Sequence, residues 1–161
     1  MAEPLLKTPR LYLRKYAPED YPLLVDLYND WKWNDVNDEF AREFLCNTIQ
    51  KQYELGGGVF ATFLQENDLY IGHCGVKCLQ KHREWHLSFR FLKTYWKNNL
   101  PAEAIKACLT FGFLSLNLNE IIVDLEERNK AAAKMLQSVG FKHRISFEEN
   151  GTKLLRHSIF S

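Results

Sequence analysis

The sequence predicts an α/β chain of the α+β kind, with a central mixed, mostly antiparallel sheet flanked by helices. Three observations carry that prediction. Between Val59 and Leu92, three alternating apolar and polar segments are separated by short polar turns, the pattern of an antiparallel meander. A helical apolar period from about Pro101 to Leu116 and a short apolar run, Ile121 to Leu125, then bring the chain back by a crossover. The C-terminal part alternates on either side of Asn150-Gly151, a strong two-residue hairpin signal.

The elements follow in order. Leu11 to Arg14 alternates as a short strand, with Leu11 and Leu13 on one face. Pro18, Glu19 and Asp20 open a helix, because proline and acids are favoured in a first turn. Tyr21, Leu24, Val25 and Tyr28 continue it at helical spacing. The segment from Asp30 to Asn34 reads as a loop. Asp38 can cap a second helix, on which Ala41, Phe44, Leu45 and Thr48 share a face, and Gly56-Gly57-Gly58 ends it. Strands are expected at Val59–Gln65, Leu69–Leu79 and Glu84–Leu92. Asn129 can cap a last helix through Val139, with Gly140 as its stop.

Length and charge exclude several classes. At 161 residues the chain fits one domain, spanning residues 1–161, with a core large enough to need neither disulfides nor a structural metal. A formal net charge of +1 argues against a dedicated nucleic-acid binder, and Lys81, His82 and Arg83 read as a solvated turn. No run approaches the length of a membrane span, and the N-terminal region shows no apolar secretory core. The four cysteines have no framework spacing, so a cytoplasmic protein with reduced thiols is expected. Cys74 and Cys78 stand four apart on a strand, about 13 Å, too far to share one ion. No metal site is expected.

The element order is also that of the GNAT acyltransferases, and several segments resemble the family's ribosomal-protein N-acetyltransferase-like branch. The opening strand Thr8-Pro9-Arg10-Leu11-Tyr12-Leu13-Arg14 resembles that branch, as do Ile71-Gly72-His73-Cys74-Gly75-Val76, Trp85 to Trp96, Ala102-Glu103-Ala104, and Asn129-Lys130-Ala131-Ala132 followed by Gly140-Phe141. The resemblance covers nearly the whole chain. It implies acetyl-CoA as cofactor, held by Phe91 and Leu92 at the carbonyl, by Trp96, Lys97, Asn98, Asn99, Leu100 and Ala102 around the pyrophosphate, and by Asn129 at the pantetheine arm.

The pyrophosphate loop departs from the family pattern. Lys97 and Asn99 stand where close relatives have glycine, and Pro101 stands where a small residue with an N–H is expected. Asparagine tolerates a positive φ better than other non-glycine residues, so Asn99 can keep the turn shape. Pro101 suits a first helical turn but removes one donor from the phosphates. Ala132 replaces a usual serine, and Leu136 occupies the place of a tyrosine that protonates the leaving thiolate in many relatives.

Acyl transfer to an amine needs a proton acceptor, a polarised carbonyl and alignment of the reactants. On the strand from Glu84, the side chains of His86, Ser88 and Arg90 alternate with apolar ones, which suggests a polar cleft. His86 falls where relatives often carry a glutamate base, and a histidine side chain can serve as a base near neutrality. The alternative is a histidine hydrogen-bonded to a neighbouring strand or exposed at a rim. Ser88 is the second catalytic candidate, and Arg90 can orient substrate. Trp31 and Trp33, with Asp35 and Asp38, lie where the branch forms its acceptor wall, and aromatic rings beside carboxylates suit a cationic amine. The expected partner is an amine-bearing small molecule or a protein N-terminus, with no nucleic acid and no membrane, and the chain acts as a monomer or homodimer. The second reading is a non-catalytic GNAT-fold binding protein, favoured by the altered loop, Ala132 and Leu136.

Overall fold

A computed structural model of the chain describes residues 3–32 and 35–161. Eight strands form one sheet in the order β1-β2-β3-β4-β5-β6-β8-β7. They are β1 (Leu6–Lys7), β2 (Leu11–Arg14), β3 (Gly58–Leu64), β4 (Tyr70–Leu79), β5 (Glu84–Phe91), β6 (Glu120–Glu126), β7 (Lys142–Glu149) and β8 (Thr152–Phe160). Every neighbouring pair is antiparallel except β5 and β6. The meander and the crossover stand as the sequence predicts. The two-residue β1, which pairs with β2, carries too few residues for its alternation to show.

One face of the sheet packs α1 (Tyr21–Asp30) and α2 (Asp38–Phe44) over Val59, Ala61 and Phe63. The cap of α2 is Asn37 rather than Asp38: the Asn37 side chain accepts the Phe40 N–H at 2.9 Å, and Asp38 becomes the first helical residue. The helix runs on through a π turn (Leu45–Ile49), α3 (Gln50–Gln52) and a 3-10 turn, and stops at Gly56 in a left-handed conformation, φ 93°. The other face packs α4 (Leu100–Leu114) and α5 (Lys130–Ser138) over Phe60, Cys74, Val76, Leu87 and Phe91. Helix α4 starts one residue earlier and ends two earlier than its apolar period suggests. The α5 cap is Asn129, as expected, accepting the Ala132 N–H at 3.2 Å. Its replacement by alanine should cost about 1 kcal/mol of stability in urea unfolding, because α5 has no other side chain at its first turn to take that donor.

Asn150 and Gly151 turn the last hairpin with φ of 50° and 79°, both left-handed, which matches the twist of the strands they join. Strand β7 is an open edge. A bulge between His143 and Ile145 and the charges of Lys142, Arg144, Glu148 and Glu149 blunt it against strand addition.

Candidate active site

Strands β5 and β6 are joined by a single ladder pair, His86 with Ile122, and diverge beyond it. The alternation of the β4–β5 ladder fixes what lines the gap. The Leu92 N–H donates to Ile71 O at 2.9 Å, so His86, Ser88, Arg90 and Leu92 turn their backbone groups toward β4. Leu87, Phe89 and Phe91 therefore turn theirs toward β6. The Trp31 indole N–H confirms the direction by donating to Phe91 O at 2.7 Å. The N–H groups of Phe89 and Phe91 are thus left at an edge with no facing strand. A cleft of about 290 Å³ fills the divergence.

The two faces of the cleft differ. Leu87, Phe89, Trp96, Val123, Leu125 and Asn129 bound it on the α4 side, whereas Ser88, Arg90 and Asp124 project on the α1 side. Trp31 and Trp96 meet edge to face with ring centroids 6.1 Å apart, closing one end. The Lys93 ammonium lies 5.1 Å from the centre of the Trp31 ring, and the Lys93 N–H donates to Asp30 at 2.7 Å, so the segment after β5 is pinned to the end of α1.

The loop entering α4 holds two successive left-handed residues, Asn98 (φ 63°) and Asn99 (φ 58°). Asn99 keeps the turn that a glycine would make. Lys97, the other departure, has no positive φ and asks nothing unusual of the backbone. No side chain caps α4. Its first internal bond is Glu103 N–H to Asn99 O at 3.0 Å, which leaves the Leu100 and Ala102 N–H groups without a helical partner and Pro101 with none to offer. Lys97, Asn98 and Leu100 line a second hollow of about 670 Å³ with Arg10, Gln65 and Tyr95. Glu103 does not face a ligand. Its carboxylate accepts from Thr8 at 2.6 Å and from the Arg10 side chain at 2.7 Å. Burial works against its charge, but these bonds outweigh it and hold its pKa below the usual carboxylate range.

The structure corrects several sequence-based expectations. Leu92 cannot polarise a bound carbonyl, because its N–H is used by Ile71 and its own carbonyl accepts the Tyr95 N–H at 2.9 Å. The available donor is Phe91, one residue earlier on the strand. His86 does not line the cleft. It stands at the closed end, 7% exposed, where β5 is still paired with β6. Asp35 lies in a separate hollow with Asn29 and Lys32, and Asp38 is exposed on α2, so neither forms the cleft wall. Trp33 lies outside the described residues. Leu136 and Ala132 are buried in the core, and no side-chain acid stands in their place.

Sequence reasoning missed three charged groups. The Glu84 carboxylate lies 2.9 Å from His86 Nε2. That bond, followed by the nearby Arg156, holds Glu84 below the usual carboxylate range despite partial burial. Arg156 donates through Nε and Nη2 to Asp124 at 2.8 and 2.9 Å and through Nη1 to Glu84 at 3.0 Å. Asp124 could have been noticed as the lone charge inside the apolar run from Ile121 to Leu125. Arg156 on the last strand gave no such signal.

The sheet is parted between two parallel strands, beside a helix N-terminus that no side chain caps, and comparison with known proteins gives the family. The sequence profile described as "Acetyltransferase (GNAT) domain" matches residues 10–142, and the chain belongs to this family. It is 28% identical over 147 residues to the uncharacterized N-acetyltransferase p20 of Bacillus licheniformis, covering 85% of this chain and 82% of that one. In structure it is similar to a putative GNAT-family acetyltransferase from Bordetella pertussis, with a TM-score of 0.85, 16% identity and coverage of 95% and 97%. It is also similar to RimL, a ribosomal L7/L12 α-N-protein acetyltransferase in complex with coenzyme A, with a TM-score of 0.83, 13% identity and 98% of both chains covered. Among the described residues, no helix is long and apolar enough to cross a membrane.

Proposed function

We propose that the protein is an acetyl-CoA-dependent N-acetyltransferase that moves an acetyl group directly to a primary amine, on a protein N-terminus or a small molecule. The observation that carries this reading is the unpaired β5 edge leading to an uncapped helix. Both features leave backbone N–H groups at a concave surface without protein acceptors, and such groups need partners. Trp96 adds a third orphan: its indole N–H is buried with no acceptor. The residues present therefore fit the coenzyme, with one donor fewer because of Pro101. The Leu100 and Ala102 N–H groups, with Lys97, Asn98 and Asn99, would hold the phosphates. The edge of Phe89 and Phe91, with Trp96 and Asn129, would hold the arm. Acetyl-CoA, when bound, supplies an acetyl group activated as a thioester that an amine can take directly.

The chain's own part is to orient the amine and accept its proton. Ionised Glu84 accepts from Nε2–H of His86, which leaves Nδ1 as the basic nitrogen of the ring. Ser88 stands two residues along the same strand face, about 7 Å nearer the open cleft, a span that its hydroxyl and one water can bridge. Trp31 and Arg90 form the acceptor rim. Similarity to RimL, a ribosomal L7/L12 α-N-protein acetyltransferase, favours a protein N-terminus as acceptor. The alternative, a binding protein without turnover, draws on Pro101 and on the buried Leu136, which leaves protonation of the thiolate to solvent.

Calorimetry with acetyl-CoA is the deciding test. Micromolar binding is expected. Asn99→Ala should weaken it about tenfold, because a side chain with a Cβ and no polar group pays roughly 1–2 kcal/mol in the left-handed region. His86→Ala should leave binding intact and lower kcat on an amine acceptor about a hundredfold. Absence of binding at millimolar acetyl-CoA would sink the reading.

A further inference from the structure

The Arg156 guanidinium joins three strands at the vertex of the cleft. From β8 it grips Asp124 of β6 with two donors and Glu84 of β5 with a third. It lies where the backbone supplies a single ladder pair between β5 and β6. Glu84 in turn meets His86 Nε2 through its other oxygen. We infer that Arg156 is a positioning residue of the transfer site: it aims Glu84 at the Nε2–H of His86, so that Nδ1 stays the basic nitrogen, and fixes Asp124 on the cleft wall. The inference rests on the acetyl-transfer reading given above.

Geometry and charge support it together. A carboxylate facing histidine alone would favour the imidazolium and leave less of the neutral ring to accept a proton near neutrality. With Arg156 on the same carboxylate, the pair keeps its hydrogen bond while much of the negative field is cancelled. Among the described residues, the ladders place these charged groups around His86: Lys77 is its cross-strand partner on β4, Glu84 shares its strand, Glu120 and Asp124 flank Ile122 on the same face of β6, Arg156 faces it from β8, and Arg144 of β7 reaches Ser158 beside Ile122. Removing Arg156 leaves three carboxylates against Lys77 and Arg144 in that set. The guanidinium also lies 5.7 Å from the centre of the Phe147 ring, and its side chain is 25% exposed, so it is supported on one side and open to solvent on the other.

The test is the tautomer of His86, followed by long-range 1H–15N spectra of the free protein. In the wild type Nε2 is expected to carry the proton. In Arg156→Gln that preference should weaken, and the acid limb of kcat/KM should move to higher pH. Arg156→Lys, which keeps the charge but not the fork, should return most of the movement of that limb. Should Arg156→Gln fail to fold, Glu84→Gln reads the same chain from its other end: the preference for the Nε2 proton should weaken and the acid limb should move to lower pH. A His86 signal unchanged in folded Arg156→Gln, or in Glu84→Gln, overturns the inference. Because the spectra need no substrate, an unmoved histidine in an active enzyme overturns the positioning role alone. An inactive wild type overturns the acetyl-transfer reading and the positioning role with it.

Discussion

Alanine at position 75 should abolish folding, with soluble yield lost and no cooperative urea transition. Gly75 pairs with Val59 on β3 and Ser88 on β5, in the middle of the sheet. A Cβ there would sit 1.8 Å from the Gly58 carbonyl oxygen and 2.7 Å from the Val59 Cα. Both are backbone atoms of a paired strand, so no side chain can rotate away. Overpacking that side chains can absorb costs about 1–3 kcal/mol. A clash that parts two central strands exceeds this and approaches the roughly 5–15 kcal/mol that holds a domain folded. Gly151→Ala is the control. It has a φ of 79° but open space around it, so it should cost only about 1–2 kcal/mol. Equal unfolding midpoints for the two variants would show that the close approach of β3 and β4 is not what demands glycine.

Acid should unfold the protein mainly through His73. This ring is buried on β4 between Tyr16 and Tyr28, with Nδ1 3.0 Å from the Tyr16 hydroxyl, which itself meets the Tyr70 hydroxyl at 2.5 Å. Burial, and then the charges of Arg90 and Lys77, lower its pKa from 6.5 to about 3. Between those values the unfolded chain binds one proton more than the folded chain. Stability from this group is therefore complete above pH 6.5 and falls as pH drops toward 3. The slope is about 1.4 kcal/mol per pH unit, or about 5 kcal/mol over the whole interval. Burial lowers the pKa of His157 as well and adds in the same direction. In His73→Gln, whose amide can still meet the Tyr16 hydroxyl, the dependence of unfolding free energy on pH between 6.5 and 4.5 should flatten. The exposed His82→Gln should leave it unchanged. Parallel curves for wild type and His73→Gln would refute the assignment.

These two sites show what could be read from the chain alone and what could not. The alternation in β4 and β5, the caps and the Asn150-Gly151 turn are local, so periodicity and turn chemistry place them within a few residues. The spacing of Gly72 and Gly75 was visible as a resemblance, but its reason is a contact with β3 and β5 that no local pattern encodes. The same holds for the site. Trp96, Asn99 and Asn129 each lie at an element boundary that the sequence marks, and Trp96 and Asn129 line one cleft. Whether Leu92 or Phe91 offers its N–H depends on the phase of the β4–β5 ladder, and a shift of one residue reverses the answer. The Glu84, Asp124 and Arg156 cluster joins residues as many as 72 positions apart, so only the register of β5, β6 and β8 reveals it.

The single rung between β5 and β6 also divides the molecule mechanically. On one side, β1 to β5 are laced together by continuous antiparallel ladders. On the other, β6, β8 and β7 form a second laced panel. The seam is bridged by one backbone residue pair, by helix α4, which touches strands of both panels, by the apolar core that Leu87 and Phe91 share with Ile121, Val123 and Leu125, and by the Arg156 side chain. A pantetheine arm laid along that seam would act as a stitch, its amides standing in for the missing rungs. Exchange of the Phe89 and Phe91 amide hydrogens with solvent would then report how tightly the two panels are sewn.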